Sequence, residues 1–331
     1  MKKILVTGGL GFIGFNFVKS LEKNEEWKVV KVVDKITYAA FPWLADKGIY
    51  LEEHNIPLIK KDICELSDSD VEGVDVIVNF AGETHVDNSI ESPSVFTRTN
   101  VLGVSNLLEL TRKHNLRFHQ IGTDEVYGSV NPEVDFVDEN FSLNPSSPYS
   151  ATKTAADLLT LSYYKTFGCN VTVSRCSNNF GPYQHKEKFI PTVIDSALHD
   201  KKIPVYGDGL QKRFWIHVDD HNDAVLRILE FGRAGEIYNI APTPKNLKTN
   251  LEIVDKILEI LHKSSDLISH VKDRPGHDKC YYLEGNKIMN ECGFVPGSST
   301  QFTEDLEKTV EWYCKNLQEL NLKNFRETTV I

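Results

Sequence analysis

The stretch from Ile4 to Asp34, ILVTGGLGFIGFNFVKSLEKNEEWKVVKVVD, constrains the fold more than any other part of the chain. Ile4, Leu5 and Val6 form a short apolar run of the kind carried by a strand buried on both faces. Gly8-Gly9-Leu10-Gly11-Phe12-Ile13-Gly14 follows. Phe15, Phe17, Val18 and Leu21 then recur at helical spacing, with Lys19, Glu22 and Lys23 on the opposite face. A second apolar run, Val29 to Val33, ends in Asp34. Strand, glycine turn, helix, strand and acid make half of a dinucleotide-binding unit. Gly8 and Gly9 permit a sharp turn. Gly11 lets the backbone approach a pyrophosphate at the positive helix N-terminus, and Gly14 lets the helix pack close to the strand. Asp34 can accept hydrogen bonds from an adenosine ribose, which suits NAD rather than a 2′-phosphate, and Lys35 next to it weakens that preference a little. The spacing is G-x-x-G-x-x-G. An ordinary βα turn is the bland alternative, and the flanking strand, helix and acid lift the motif above it.

The 331 residues are enough for one large domain or two smaller ones. The formal net charge of −10 is spread along the chain, and no basic block stands out, which argues against broad nucleic-acid binding. An anionic substrate must then be held by local Arg, Lys and backbone N–H groups. No apolar run approaches a membrane span, and the N-terminus enters a strand without a visible signal peptide. Cys64, Cys169, Cys176, Cys280, Cys292 and Cys314 are scattered without metal spacing. They predict reduced thiols in a cytoplasmic protein and no metal site.

Further along, Leu58 to Lys60 predicts a third strand, and Asp62-Ile63 after it can edge an adenine ring. Val74 to Phe80 predicts a fourth, followed by the small residues Ala81 and Gly82, then Glu83, Thr84 and His85, along which a dinucleotide can lie. His85 reads best as a loop histidine held by backbone. Ser94 to His114 predicts one long helix, apolar around much of its circumference through Val101, Val104, Leu107, Leu108 and Leu110. Leu116 to Ile121 is a fifth strand, running into Gly122-Thr123-Asp124-Glu125-Val126-Tyr127-Gly128. Two carboxylates after a buried strand sit where open sheets bind ligands, and can act as an acid–base pair; a charged turn is the plain alternative. Ser147 to Lys153 begins a helix that puts Tyr149 and Lys153 on one face. An ammonium near a phenol lowers its pKa, so such a tyrosine can take a proton from a substrate hydroxyl while a hydride leaves the carbon. Val171 to Arg175 predicts a sixth strand and Asn178 to Pro191 a polar loop. Asn250 to His262 and Thr303 to Leu317 predict amphipathic helices, and 317–331 a loose tail.

TGGLGFIG, AGETHVDNSI, GTDEVYG, YSATK, CSNNFGPYQHKEKFIP, PVYGDG and DRPGHD together resemble the extended short-chain dehydrogenases/reductases. Within them the chain is similar to the nucleotide-sugar 4,6-dehydratases of the dTDP-glucose 4,6-dehydratase type, over about Lys2 to Asn316. The Thr123-Asp124-Glu125 triplet separates these from related 4-epimerases and decarboxylases. The resemblance implies an α/β fold, a Rossmann-type doubly wound parallel sheet with a smaller C-terminal substrate-binding α/β lobe. It divides as 1–177, mainly NAD-binding, and 178–316, mainly substrate-binding with segments returning to the sheet. Phe12, Ile13, Asp34, Lys35, Thr37, Asp62, Ile63, Phe80, Ala81, Gly82, Thr84, Thr99, Tyr149, Lys153 and Asn179 would line NAD beside the glycines. Thr84, Thr123, Asn178, Lys188 and Phe189 would hold a nucleotide sugar, and Pro204, Val205 and Tyr206 its base. Arg213, Asn250, Arg274 and His277 would complete the site, the Arg side chains facing the diphosphate.

The reaction so implied starts with Tyr149 taking the C4 hydroxyl proton as hydride leaves, with Lys153 and Thr123 positioning. Glu125 then removes the C5 proton, Asp124 protonates the departing C6 hydroxyl, and hydride returns to C6. A 4-epimerase needs Tyr149 and Lys153 without the acid pair; a non-catalytic NAD-binding regulator needs neither. The family pairs the helices 94–114 and after Tyr149 into a homodimer. Departures from its pattern, at Phe214, Gly82 and the run from Lys279 to Glu284, bear on the preference for thymine or uracil.

Overall fold

The computed structural model describes residues 1–40, 43–133, 135, 137–273, 278–297 and 299–327. The twelve strands of these residues are β1 (Lys2–Thr7), β2 (Trp27–Asp34), β3 (Leu58–Lys60), β4 (Val76–Asn79), β5 (Arg117–Thr123), β6 (Val171–Cys176), β7 (Asn178–Phe180), β8 (Ile203–Tyr206), β9 (Lys212–His217), β10 (Ile237–Ile240), β11 (Leu247–Thr249) and β12 (Ile268–Val271). The helices are α1 (Phe12–Ser20), α2 (Leu44–Glu53), α3 (Val86–Glu91), α4 (Pro93–Phe96), α5 (Val104–His114), α6 (Pro148–Phe167), α7 (Phe189–Leu198), α8 (Val218–Phe231), α9 (Asn250–Leu261), α10 (Asn286–Cys292) and α11 (Ser299–Glu327).

The apolar runs become central strands because both their faces are covered. Seven strands pair in parallel in the order β10-β6-β5-β4-β1-β2-β3. On one face Phe17 and Val18 of α1, Val225, Ile228 and Leu229 of α8 and Ile288 of α10 pack against Ile4, Val6 and Val78. On the other, Val104, Leu107 and Leu108 of α5 and Ala156 of α6 pack against Leu5, Ile77 and Phe118. This is the doubly wound α/β arrangement, and strand order reverses beside β1, where such sheets bind ligands. A second apolar cluster joins α7, α9 and α11 to β8 and β9. It lies beside the small sheets β11-β9-β7 and β12-β8. The chain returns from there to the large sheet through α8 and β10, which pairs with β6.

Three local expectations change. The helix expected over 94–114 is interrupted: α4 is followed by a π-helical turn, Thr97–Gly103, and then α5. A Cβ on Gly103 would lie 2.5 Å from Ile63 Cδ1, so this turn packs directly on the segment after β3. Asn178–Phe180 is a strand rather than loop, because its backbone pairs in parallel with Trp215–His217. Helix α11 runs past 317 to Glu327, over the first part of the expected loose tail; 328–331 lie outside the described residues. Among the described residues no helix is long and apolar enough to cross a membrane.

Candidate active site

The glycine turn between β1 and α1 closes only because side chains are missing from it. Gly8 has φ +67°, and a Cβ there would stand 2.6 Å from the Ala81 nitrogen. A Cβ on Gly14 would stand 2.4 Å from the Gly8 oxygen. No side chain caps the N-terminus of α1, so its first N–H groups remain for an anion.

Two cavities open from this turn. One, about 540 Å³, is lined by Gly8, Gly11, Asp34, Lys35, Thr37, Asp62, Ile63, Phe80, Ala81, Gly82 and Thr99. The other, about 1180 Å³, is lined by Gly8, Gly11, Phe12, Ile13, Gly14, Phe80, Gly82, Thr84, Thr123, Asp124, Glu125, Tyr149, Lys153, Asn178, Asn179 and Lys188. They share Gly8, Gly11, Ala39, Phe80 and Gly82 and form one cleft along the strand ends. Every residue expected along the dinucleotide therefore borders this cleft.

At the narrower end, Asp34 accepts from Leu10 N–H at 3.0 Å and Ile36 N–H at 2.7 Å. Burial raises its pKa, while those bonds and the charges of Lys47 and Lys35 oppose the rise. Lys35 itself pairs with Glu83 at 2.9 Å and donates to Thr99 at 3.1 Å, so its charge is already matched. Asn100, on the π turn, accepts from Glu83 N–H and donates to Thr152 of α6, pinning the segment after β4. His85 caps α3 by accepting from Asn88 N–H, which is the structural role expected for it.

At the wider end, β5 delivers Thr123, Asp124 and Glu125, and the start of α6 delivers Tyr149 and Lys153. Ser147 caps α6 through a capping box with Ser150, and Pro148 occupies its first turn. Asp124 is buried, and burial together with the charge of Glu125 pushes its pKa up to about 8. One of its oxygens receives the Thr123 hydroxyl at 3.3 Å; the other has no hydrogen-bond partner. Tyr149 differs from expectation. Its phenol stands well above its ordinary pKa because it is buried and faces Glu125, and the relieving hydrogen bond comes from Thr123. Lys153 instead donates to the Ile121 carbonyl, and burial lowers its pKa. Cys176, Ser177, Gln184, His185 and Glu187 also border the cavity. Sequence reading missed them individually, although the polar run after Asn178 pointed to their neighbourhood.

Phe189, Pro204, Val205, Tyr206, Arg213 and Asn250 do not border the cleft. Val205 is buried in the second core and Phe189 stacks on Trp215 at 6.0 Å, so both serve packing. Arg213 donates to the Lys212 and Asp278 carbonyls and lies 4.0 Å over the Tyr281 ring. Its charge nonetheless reaches Asp124, where it opposes the upward shift. The small sheet connects these residues to the cleft: Asn178 pairs with Trp215, and Arg213 with Lys248, in register. Arg274 and His277 lie outside the described residues.

The donor set fits a dinucleotide and a polar ligand beside it. The glycine cradle would be filled by any Cβ, and Asp124 Oδ2, Ser177 Oγ, Asn178 Oδ1, Asn179 Oδ1 and Gln184 Oε1 are buried beside the cavity without hydrogen-bond partners. Among the described residues no cluster of His, Cys, Asp and Glu can hold a metal ion.

A doubly wound sheet with a glycine turn, an acid after β2 and a Tyr-x-x-x-Lys helix defines an NAD-linked class, and comparison places the chain within it. The sequence pattern of the NAD dependent epimerase/dehydratase family matches residues 4–241, and the chain belongs to that family. A dTDP-glucose 4,6-dehydratase of Streptomyces niveus is 44% identical over 95% of this chain and 93% of its own length. The crystal structure of DesIV, a dTDP-glucose 4,6-dehydratase from Streptomyces venezuelae with NAD bound, matches with a TM-score of 0.87 at 39% identity, covering 95% of this chain and 97% of that one. A UDP-glucuronic acid 4-epimerase from Bacillus cereus, solved with UDP-glucuronic acid and NAD, has the same TM-score, 0.87, at 26% identity and covers 95% of this chain and 99% of that one.

Proposed function

We propose that the chain is an NAD-dependent 4,6-dehydratase converting dTDP-glucose to its 4-keto-6-deoxy product. The observation that carries this reading is the pair at the end of β5: Asp124, kept protonated near neutral pH, beside Glu125, both on one cavity with Tyr149. The Streptomyces relatives agree with it.

NAD held in this cleft would supply the hydride acceptor for C4 of the sugar and the hydride donor for C6. Thr123 orients the Tyr149 phenol, and the positive charge of Lys153 must offset the burial and the Glu125 charge that hold it protonated before Tyr149 can take the C4 hydroxyl proton. The ketone left at C4 makes the C5 proton acidic. Glu125 removes that proton, and Asp124 donates its own to the departing C6 hydroxyl, so that one water leaves; as hydride reaches C6, the protonated Glu125 returns its proton to C5. An ionised Asp124 could not serve as this acid, which is why its burial matters.

The glycine turn, Asp34, Asp62 and the segment from Phe80 to Thr84 hold the dinucleotide in this reading, with Asn179 at its far end. Thr84, Asn178 and Lys188 hold the sugar nucleotide. Residues 1–177 with the returning α8 and β10 form the cofactor lobe, and the rest of 178–316 the substrate lobe. Six free cysteines fit a cytoplasmic setting. A homodimer through α4, the π turn and α6 is supported by Val95, Leu102 and Leu158, which stand 45%, 57% and 52% exposed on these segments.

Purified protein incubated with dTDP-glucose should release a 4-keto-6-deoxy sugar nucleotide, with UDP-glucose as the comparison substrate. Absence of that product from both overturns the reading. The 4-epimerase alternative shares the fold but needs no acid pair. Asp124→Asn with Glu125→Gln should cut dehydration by about 10³-fold, whereas an epimerase would keep most of its activity.

A further inference from the structure

Lys153 stands in a buried place for a charge. Its side chain lines the cleft beside Tyr149, and its ammonium donates to the Ile121 carbonyl. One helical turn further along α6, Asp157 is completely buried. Its Oδ2 accepts from Arg175 Nε of β6 at 2.9 Å, and both partners are 1% exposed or less. Its Oδ1 has no hydrogen-bond partner. That free oxygen sits over the strand that carries the Lys153 contact: a Cβ on Gly122, next to Ile121, would come within 3.1 Å of it.

Arg175 is fixed independently of the cleft. Its guanidinium also donates to the Tyr127 hydroxyl at 2.8 Å, and Tyr127 donates to Asn239 of β10 at 2.8 Å. Asp157 is thus held at one oxygen by a buried network, with the other left unpartnered beside Gly122. The charge count follows. Burial raises the pKa of Asp157, and Arg175 and Lys153 oppose that rise. A neutral Asp157 would leave two buried cations without a counter-charge, so the ionised pair is the state the surroundings select. The charged and titratable groups acting on Lys153 are Asp157 from its own helix and Cys176 from β6, while Tyr149, Asp124 and Glu125 border the same cavity. Of these, Asp157 most favours its charged form.

We propose that Asp157, clamped by Arg175, is the positioning residue that keeps the ammonium charge on Lys153 beside the acting phenol. It touches neither substrate nor cofactor; it acts through Lys153. The inference rests on the role given to Lys153 above.

The test follows the Lys153 ammonium directly, by nitrogen NMR of protein labelled at lysine Nζ, with Lys153→Gln locating the signal. Asp157→Asn should move the Lys153 titration at least one pH unit lower. With dTDP-glucose, kcat should fall tenfold or more at pH 7, its alkaline limb should shift to lower pH, and KM should change little. A lone Asp157→Asn leaves Arg175 unmatched and can fail to fold, so Asp157→Asn with Arg175→Gln is measured beside it. Removing both charges should return the melting temperature close to that of the unmodified protein, while Lys153 still titrates lower, by a smaller margin. An unchanged Lys153 titration in whichever variant folds overturns the proposal. If the unmodified protein makes no 4-keto product, the functional reading falls, and the NMR titration still decides whether Asp157 governs Lys153.

Discussion

Asp124 is where a single side chain departs furthest from its behaviour in water. The unfolded chain ionises it near 3.8, and the folded chain keeps its proton until about 8. Between those values the folded state binds one more proton than the unfolded state, so this group makes stability fall as pH rises from about 4 to about 8. Asp124→Asn removes that dependence. Melting curves between pH 5 and pH 8 should show the unmodified protein losing more stability than the variant over that interval. The variant should also lose at least about 10²-fold in dehydration. The same group sets an upper limit in pH: dehydration should decline above about pH 8, as Asp124 loses the proton it must donate. A flat rate through pH 9 would exclude it as the acid. Sequence spacing was enough to bring Tyr149, Lys153, Asp124 and Glu125 to one cavity. It could not tell which charge governs the phenol. That depends on burial and on Glu125, which only the folded neighbourhood of α6 and β5 defines.

At the level of elements, most strands of the large sheet were legible as short apolar runs; β5, with Arg117, His119 and Gln120 in it, is an exception to that pattern. Asn178–Phe180 was not, because its strand character comes from pairing with β9 rather than from its side chains. The π turn at Thr97–Gly103 was hidden for a similar reason: its residues fit an ordinary helix, and its break serves packing on Ile63. Lys47 of α2 is the clearest omission. Its helix carries Gly48 and no long apolar run to mark it, yet Lys47 is completely buried and donates to the Leu10 carbonyl at 2.7 Å and the Ala40 carbonyl at 3.2 Å. Burial brings its pKa down to about 8 despite Asp34. Leu10 is therefore held at both ends, its N–H by Asp34 and its carbonyl by Lys47. This ties α2 to the glycine turn. Lys47→Met should leave two carbonyls unpaired and loosen that turn, weakening NAD binding by about tenfold, the cost of roughly one buried hydrogen bond. Calorimetric titration of NAD into cofactor-stripped protein measures this, and an unchanged affinity would show that the turn holds its shape without α2.

For the whole molecule, the exposed side of α4, the π turn and α6 is the surface that the fold leaves unexplained. These elements pack on each other and on the sheet, and they carry polar residues elsewhere, but Val95, Leu102 and Leu158 remain in solvent. Three large apolar side chains exposed on adjoining helical segments are of the kind a symmetric partner covers. The same elements carry the site inward: the π turn presents Thr99 to the cleft and α6 presents Tyr149 and Lys153. A partner pressed on their outer face would stiffen both. Leu158→Asp places a charge at the centre of that face without touching the cleft. It should convert a dimer to a monomer by light scattering after size exclusion, and lower the melting temperature as the packing of α6 loses its outer support. Retention of the dimer in that variant would move the interface to another face, and a monomeric unmodified protein would show that the patch is left uncovered.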